Sequence, residues 1–346
     1  MDKNCSAAVI TFDGKVECRT IPMPELKDNE VLVKVHASLI SPGTEMNVAR
    51  LRRETPAAEG EDFFFGYSSA GEIIDVKGNV KDLKVGMRVA CMGGGAKHAA
   101  YNCVPVNLVV PIPDNVTYEE AAFASLAATS MQGFRRAEAV LGEYGIVLGL
   151  GIVGNLAAQI AQIAGARVLC WESLRNRRAI AKKCGLTVID FRKVDAVEES
   201  KKFAAPYGMD FAIMAFGGNA DAAWDSVLKS MKVSADGHQM GRVSVVGGCK
   251  FTFGGAAWSG NIDVRAASRT GAGYHDPDWE YGKDYPAVFV QFTSQRNARE
   301  LIQLISEKRL KVLPLITHRM SVNDVTAASE LLINHPDKAM GIILQY

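Results

Sequence analysis

The chain has 346 residues, of which 48% are hydrophobic and 22% charged, and its formal net charge is +1 at pH 7. This composition is typical of a globular protein of one or two domains and argues against a disordered or membrane-embedded chain. The near-zero net charge gives no reason to expect nucleic acid or an anionic membrane as a partner. The first residues are too polar for a signal peptide, and the seven cysteines form no C-x-x-C pair, so we expect reduced thiols in a cytoplasmic protein.

Residues 1–130 contain short apolar or alternating segments separated by glycine and proline, as β-strands are. The predicted strands are Ala8–Phe12, Val31–Ala37, Gly71–Val76 and Arg88–Cys91. The proline pairs of Pro22–Pro24 and Pro111–Pro113 cannot lie in central strands and therefore mark connections. Thr117 and Glu120 have the spacing of a capping box, which predicts a helix that begins there and continues through Ala121–Ala128.

From residue 131 to residue 269 strands alternate with helices, which predicts a doubly wound parallel sheet of the Rossmann type. The predicted strands after the first βαβ unit are Thr187–Asp190, Met209–Phe216 and Gly241–Val246. The predicted helices are Arg175–Cys184 and Asp221–Met231.

The first βαβ unit of this region carries a G-x-G-x-x-G sequence between an apolar strand and an apolar helix. Such glycines permit a tight turn, a close approach of a pyrophosphate and close helix–strand packing. The predicted phosphate-binding residues are Gly149, Gly151, Ile152, Val153 and Gly154. Glu172 ends the next strand, where an acid accepts hydrogen bonds from the ribose. The alternatives are a core unit whose glycines serve only packing, or a membrane span, against which Asn155, Gln159 and Gln162 argue.

The last residues do not continue the alternation. A polar, aromatic and glycine-rich loop at 269–286 is too long for a simple connection. It is followed by a predicted helix at Ala298–Lys308, a strand-like segment at Val312–Ile316, a helix at Asn323–Asn334 and a strand at Gly341–Leu344. We predict that residues 270–346 rejoin residues 1–130 in one β-rich domain and that residues 131–269 form the nucleotide-binding domain.

Several segments together resemble the medium-chain dehydrogenase/reductase superfamily, the fold of the zinc alcohol dehydrogenases. They are VKVHASLISPGTE, FGYSSAGEIIDVKG, GMRVACMGGG, VPIPDNVTYEEAAFA and KAMGIILQY. The resemblance implies an α/β fold with a GroES-like β-rich catalytic domain and a Rossmann domain. S-P-G-T-E, G-Y-S-S-A-G and the loop at 269–286 resemble a zinc-lacking subgroup, some of whose members are fused to a second, sugar-type oxidoreductase domain.

The zinc enzymes of this superfamily bind their catalytic metal with a cysteine, a histidine and a further cysteine or glutamate. The chain has Ser41 or Pro42, then Tyr67, and then Ala124 or Ser125 at these places. None of these is a good zinc ligand, and the four-cysteine structural lobe is missing as well. We therefore expect no zinc, although Glu45, Cys91 and His98 could converge.

Without a metal, some side chain must exchange a proton with the substrate oxygen. The resemblance implies Tyr67, which replaces a metal-binding histidine beside the nicotinamide, Thr44, which matches the proton-relaying hydroxyl, and its neighbour Glu45. His98 follows a glycine-rich loop and is a fourth candidate because histidine titrates near neutral pH. Three of the four have a structural alternative: Tyr67 as a packed core tyrosine, Glu45 as a partner of a backbone turn or an arginine, and His98 as a solvated or structural histidine.

The predicted cofactor is NAD rather than NADP, because the carboxylate of Glu172 would repel a 2′-phosphate. Arg177 and its arginine neighbours could accept that phosphate instead, or form a solvated helix face. The resemblance places Thr129, Phe216 and Gly247 beside the nicotinamide half. The candidate substrate residues are Tyr274, His275 and Asp276, whose loop could equally be a lid or an interface arm.

These observations predict a zinc-independent, NAD(H)-dependent oxidoreductase that interconverts a secondary alcohol and a ketone on a small sugar- or polyol-like substrate. The alternatives are a quinone or enoyl reductase that uses NAD(P)H, and a non-catalytic protein that binds NAD as a sensor. The resemblance also implies a homodimer.

Overall fold

The computed structural model describes residues 3–57 and 59–346. Its β-strands are β1 (Asn4–Ile10), β2 (Val16–Pro22), β3 (Glu30–Leu39), β4 (Phe63–Phe64), β5 (Ser68–Lys77), β6 (Arg88–Met92), β7 (Tyr101–Pro105), β8 (Val109–Pro111), β9 (Tyr144–Leu148), β10 (Arg167–Trp171), β11 (Thr187–Ile189), β12 (Phe211–Met214), β13 (Gly218–Asn219), β14 (Lys232–Val233), β15 (Gln239–Val245), β16 (Cys249–Lys250), β17 (Asn261–Ala266), β18 (Ile316–Ser321) and β19 (Gly341–Gln345).

The α-helices are α1 (Glu45–Glu54), α2 (Tyr118–Ala121), α3 (Ala124–Ala137), α4 (Ile152–Ile163), α5 (Arg175–Lys183), α6 (Ala196–Phe203), α7 (Asp221–Ser230), α8 (Ala256–Ser259), α9 (Pro277–Glu280), α10 (Ser294–Ser306) and α11 (Val325–Asn334). Short 3₁₀ helices lie at Val106–Leu108, Leu313–Leu315 and Val322–Asp324. Within the described ranges, no helix has both the length and the apolar character that a bilayer crossing requires.

The chain divides into two compact units. The discontinuous unit comprises the residues up to Ala128 together with Thr270–Tyr346, and the central unit comprises Thr129–Arg269. The boundary near residue 128 lies inside α3, whereas the change of pattern in the sequence predicts it after residue 130.

The discontinuous unit is built on a mixed β-sheet with the strand order β18-β19-β3-β5-β6-β8, and β7 also pairs with β3. A smaller sheet has the order β2-β1-β4. β19 pairs antiparallel with β3, with Leu344 opposite Ser38, so the end of the chain lies beside a strand from its beginning. Pro22 and Pro111 end the edge strands β2 and β8, where the missing N–H removes no bond from the interior of a sheet.

One apolar core of the discontinuous unit combines segments from both parts of the chain. Ile10 of β1, Ile40 after β3 and Met46 of α1 pack with Val325 of α11 and Ile342 of β19, and all five are fully buried. This packing holds the start of α1 in the same core as the residue that follows β3. A cluster of polar side chains lies at this place.

The central unit contains a sheet whose parallel strands have the order β11-β10-β9-β12-β15-β17, with β14 added antiparallel. Numbered by chain position, this is the 3-2-1-4-5-6 order of dinucleotide-binding folds. Its core includes Leu148, Trp171 and Met214, whose strands end in register at the same edge of the sheet. Ligands of such sheets bind at the carboxyl ends of the strands.

The predicted α/β fold with a β-rich domain and a Rossmann domain is confirmed. The capping box is also confirmed, since Thr117 accepts from the backbone of Glu120 and Glu120 accepts from the backbone of Thr117. The helix predicted through Ala121–Ala128 is interrupted instead, because α2 ends at Ala121 and α3 begins at Ala124.

The prediction of a strand at Val312–Ile316 is wrong. Pro314 cannot donate to a sheet, and Leu313–Leu315 forms a 3₁₀ turn that precedes β18. The strands β2 and β17 and the shorter strands β4, β7, β8, β13, β14 and β16 were not predicted from the sequence. Segments of two or three residues carry no measurable periodicity.

Candidate active site

The glycine-rich loop of the central unit has the geometry that its sequence predicts. Gly149 follows β9 with a φ of +83°, and a Cβ on Gly154 would lie 1.9 Å from the carbonyl oxygen of Gly149. A side chain at either position would therefore disrupt the contact between the turn and α4. Gly151 is the N-cap of α4 and offers no side chain, so the first N–H groups of the helix, at Ile152 and Val153, can bind an anion.

Glu172 is held against this loop. Its side chain is buried, Oε2 accepts the backbone N–H of Leu150 at 2.8 Å, and Oε1 accepts the N–H of Leu174 at 2.8 Å. Each carboxylate oxygen retains a second lone pair, so the group can also accept a ribose hydroxyl. The two backbone contacts thus orient the acid that the sequence predicts for the ribose.

The arginines after β10 have different roles. Arg178 donates to the carbonyl oxygens of Glu172 and Ser173 and lies 2.9 Å from Asp190, so it holds the loop together. Arg177 lies 3.9 Å from Glu172, and its buried Nε has no hydrogen-bond partner among the described residues. Arg177 is therefore the arginine that keeps an unused donor near Glu172.

The predicted nicotinamide residues lie on three elements of the central unit. Phe216 follows β12 and Gly247 follows β15, and a Cβ on Gly247 would lie 2.1 Å from the carbonyl oxygen of Phe216. The structure thus brings these two residues together at the carboxyl ends of adjacent strands. Thr129 lies on α3 and is half-buried. The glycine geometry, the free helix N-terminus and the buried acid all fit a dinucleotide.

The discontinuous unit contains a polar cluster around Tyr67. Gly66 has a φ of +124°, and a Cβ there would lie 2.3 Å from the backbone nitrogen of His98. This close approach lets the N–H of His98 donate to the carbonyl of Phe65 at 3.0 Å, and the N–H of Gly93 to that of Tyr67 at 3.2 Å. The glycine therefore positions both Tyr67 and His98.

Tyr67 is half-buried and interacts with the hydroxyl groups of Ser41 and Thr44. Burial and, secondarily, the charge of Glu45 raise the pKa of the Tyr67 phenol well above its ordinary value, although the two hydroxyl contacts act in the opposite direction. The phenol therefore keeps its proton at neutral pH and can donate a hydrogen bond, but it is a poor base.

His98 and Glu45 meet in the interior of this unit. Nε2 of His98 lies 3.1 Å from Oε2 of Glu45, and the same oxygen accepts the backbone N–H of Ser41 at 2.7 Å. Nδ1 of His98 lies 2.7 Å from the hydroxyl of Ser38, which lies 2.7 Å from the hydroxyl of Tyr346. His98 is fully buried, so it does not lie at the surface of its loop.

The side chains in the zinc-ligand positions do not fit a zinc ion. Pro42 and Ala124 have no donor atom, and Tyr67 holds a protonated phenol. Cys91 is fully buried, and burial raises the pKa of its thiol to about 12. Over residues 3–57 and 59–346, no three or more His, Cys, Asp and Glu side chains are grouped so that they could hold a metal.

The loop at 269–286 is anchored within the discontinuous unit. Trp279 is buried, its carbonyl accepts from Asn107 at 2.6 Å, and Tyr281 donates to the buried Glu30 at 2.8 Å. The carboxylate of Asp276 accepts the N–H of Trp279 and the hydroxyl of Tyr285, which occupies both of its oxygens. The loop thus has a defined conformation.

Among the three candidate substrate residues, Tyr274 interacts electrostatically with Tyr67. It is half-buried and close enough to Tyr67 for their ionisations to influence each other. His275 is exposed, has a φ of +67° and stacks edge-on against Tyr274. Asp276 serves as the N-cap of α9.

Sequence reasoning missed Ser38 and Tyr346 as parts of the cluster. A serine within an apolar strand and a tyrosine far along the chain carry no local signal of a shared role. The pairing of β3 with β19 brings them together.

Two family models match the chain. The model described as "Alcohol dehydrogenase GroES-like domain" matches residues 27–114, and the one described as "Zinc-binding dehydrogenase" matches residues 153–271. The matches fall on different units and together span more than half of the chain. The chain belongs to the medium-chain dehydrogenase/reductase superfamily.

Members of this superfamily with known activities are similar to the whole chain or to most of it. Sorbitol dehydrogenase of Bacillus subtilis is 29% identical over 275 residues, which is 71% of this chain and 75% of that protein. D-xylulose reductase of Saccharomyces cerevisiae is 26% identical over 373 residues, which is 95% of this chain and 94% of that protein. At the level of the family, the chain is an NAD(P)-dependent oxidoreductase that acts on CH–OH groups.

The fold is shared with the solved structure of another protein. It is an oxidoreductase/dehydrogenase of unknown specificity from Escherichia coli, which has a TM-score of 0.81 and 19% sequence identity and covers 99% of both chains. This likeness shows the fold alone.

Proposed function

We propose that the protein is a zinc-independent, NAD(H)-dependent oxidoreductase that interconverts a secondary alcohol and a ketone on a sugar- or polyol-like substrate. The observation that carries this proposal is the cluster of Tyr67, Thr44, Glu45 and His98. Hydroxyl, carboxylate and imidazole groups occupy the part of the chain where zinc enzymes of the superfamily place metal ligands.

The absence of zinc is supported by donor chemistry. The family model described as zinc-binding matches residues 153–271, whereas the positions that correspond to the metal ligands lie between Ser41 and Ser125. At those positions the side chains lack a donor or keep a proton. The description of the matched family therefore carries no information about a metal at the cluster.

The proton chemistry is assigned to the discontinuous unit. The cofactor, when bound, supplies or accepts the hydride. The protonated phenol of Tyr67 donates a hydrogen bond to the substrate oxygen and stabilises the negative charge that develops there. A zinc ion has this role in the metal-dependent enzymes.

The substrate class is supported by the names of the relatives and by the loop that carries Tyr274. Sorbitol and D-xylulose, named in two of the relatives, are polyhydroxylated. Aromatic faces next to hydroxyl and carboxylate groups suit such molecules. The preference for NAD is supported by the buried carboxylate of Glu172, with Arg177 as the residue that would accommodate NADP.

A homodimer in the cytoplasm is part of the same proposal. β17 pairs with β15 on one side, and no described strand pairs with its other edge. An open strand edge is a template for pairing with a second copy of the chain.

Two measurements on the purified full-length chain test the proposal. We expect elemental analysis to find far less than one zinc per chain, and we expect NADH to be oxidised by ketoses but not by quinones or enones. Stoichiometric zinc whose removal abolishes activity would overturn the metal-free mechanism. Turnover restricted to enones or quinones would show the alternative reductase, and tight NADH binding without turnover over a broad carbonyl panel would show a non-catalytic protein.

A further inference from the structure

Hydrogen bonds connect Tyr346, Ser38, His98 and Glu45 in that order. The positions of the protons are assigned from the Tyr346 end of this chain. Burial raises the pKa of the Tyr346 phenol far above its ordinary value, so this hydroxyl keeps its proton, and the hydroxyl of Ser38 at 2.7 Å is the acceptor we assign to it. Ser38 is then free to donate its own proton to Nδ1 of His98. The ring proton therefore resides on Nε2 and is donated to Oε2 of Glu45.

This arrangement leaves the two oxygens of Glu45 in different states. Oε2 accepts two hydrogen bonds, from His98 and from the backbone of Ser41. Oε1 is buried and has no hydrogen-bond partner among the described residues, although only 4% of the residue is exposed. A buried oxygen without a donor is unusual unless a ligand or a proton in transit completes it.

Glu45 lies in the first turn of the helix that follows Thr44. Glu45 is the first residue of α1, so its side chain lies at the positive end of the helix dipole. The titratable groups near it are His98, Tyr67 and Tyr346, with Tyr274 beside Tyr67 and Cys18 near Tyr346. His98 is the only cation-forming side chain that the described structure pairs with the carboxylate.

We propose that Oε1 of Glu45 is the proton acceptor in alcohol oxidation, and that His98, held by Ser38 and Tyr346, is the positioning residue that presents it. This inference rests on the alcohol–ketone reaction proposed above. It divides the four sequence candidates into a hydrogen-bond donor to substrate (Tyr67), a relay hydroxyl (Thr44), a base (Glu45) and a positioning group (His98).

The proton step balances without a further reagent. The substrate O–H bond breaks as the hydride leaves its carbon for the oxidised nicotinamide cofactor, and the O–H electron pair becomes the second bond of the carbonyl. The proton passes to the hydroxyl of Thr44, which interacts with Tyr67 in the structure and is not hydrogen-bonded to Oε1 of Glu45. Rotation of the Thr44 side chain then lets this hydroxyl give its own proton to Oε1. Thr44 is exposed, so the same hydroxyl returns the proton to water after turnover. Ketone reduction follows the reverse path.

Chemical rescue tests the role of Glu45. We expect Glu45→Ala to retain NADH affinity and to lose about 10²–10⁴-fold in kcat/KM for oxidation and reduction alike, as expected for loss of an acid–base group. Added formate is expected to restore activity several-fold in Glu45→Ala and not in Glu45→Gln, whose amide fills the space. The control is Glu30→Gln, which neutralises a buried carboxylate that accepts from Lys27 and Tyr281, and this variant should keep near wild-type turnover.

The positioning role of His98 has a separate readout. We expect His98→Gln and Ser38→Ala to lower kcat with little change in KM and to alter the pH profile of oxidation, because the imidazole then no longer holds Oε2 of Glu45 in place. An unchanged profile together with full activity would overturn that role.

The outcomes separate this inference from the proposed function. If the wild-type protein shows no alcohol or ketone turnover with NAD(H) or NADP(H), the proposed function fails. If the wild type turns over and Glu45→Gln does so at the same rate, only the assignment of Glu45 as the base fails. A folded Glu45→Ala variant that is inactive and insensitive to formate also contradicts the assignment.

Discussion

Nε2 of His98 lies 3.1 Å from Oε2 of Glu45, and both side chains are buried, although 53 residues separate them in the chain. The contact joins the start of α1 to the segment that follows the glycines after β6. Because Gly66 permits that segment to approach closely, the same contact fixes the surroundings of Tyr67. The proposed proton transfer depends on this arrangement. Cofactor binding depends on residues of the central unit and can be tested separately.

Tyr67→Phe removes the hydroxyl that we assign to the substrate oxygen. We expect kcat/KM to fall about 10²-fold, the usual effect of losing one donor to a developing oxyanion. NADH affinity should not change, since the cofactor residues lie in the central unit. Steady-state kinetics and fluorescence titration with NADH measure the two quantities, and unchanged turnover would remove Tyr67 from the mechanism.

Glu172 and Arg177 determine cofactor preference. We expect Glu172→Ser to weaken NADH binding and to shift the ratio of the Kd values toward NADPH by about tenfold, because a repelling carboxylate is replaced beside a retained guanidinium. Arg177→Ala in the same background should reverse the gain. Arg175→Ala is the matched control, since this exposed arginine lies on the same helix, and it should change neither Kd.

Gly151 and Gly154 should respond differently to alanine. A Cβ on Gly154 would lie 1.9 Å from a carbonyl oxygen, whereas the nearest atom to a Cβ on Gly151 is 3.9 Å away. We expect Gly154→Ala to lower the Tm by several degrees, as steric mutations in a core commonly do. Gly151→Ala should leave the Tm of the protein without cofactor intact and abolish the rise in Tm on adding NADH, because its methyl group would meet the pyrophosphate.

Gly248→Ala is the control for this pair, since no atom lies within 4 Å of a Cβ at that position. Equal losses of stability in Gly151→Ala and Gly154→Ala would contradict the assigned roles.

Titration of the Tyr281 phenol is expected to contribute to the loss of stability at alkaline pH. Burial and the hydrogen bond to Glu30 raise the pKa of its phenol to about 12 in the folded protein, above the ordinary value near 10. A raised pKa favours the protonated folded state, so this contribution is complete below about pH 10 and is lost as the pH rises toward 12. We expect Tyr281→Phe to be less stable than the wild type at neutral pH and to show a flatter decline of stability between pH 10 and 12 in urea unfolding.

The dinucleotide site could be predicted from sequence because its parts are nearly contiguous. A strand, three glycines, a helix and an acid lie within the 29 residues from Tyr144 to Glu172, and Gly149 and Gly154 have local steric roles that other residues cannot fill. Local patterns also predicted the capping box of Thr117, where donor and acceptor are three residues apart.

Sequence patterns determined the fold class, the nucleotide-binding loop and the set of proton-carrying candidates. Tertiary structure alone decided how those candidates are connected. Ser38 and Tyr346, 308 residues apart, meet because β3 pairs with β19, and their contact orients His98 toward Glu45. Such long-range pairing is driven by burial of apolar strands. The polar residues that the strands bring together therefore show no local sequence pattern that predicts their contact.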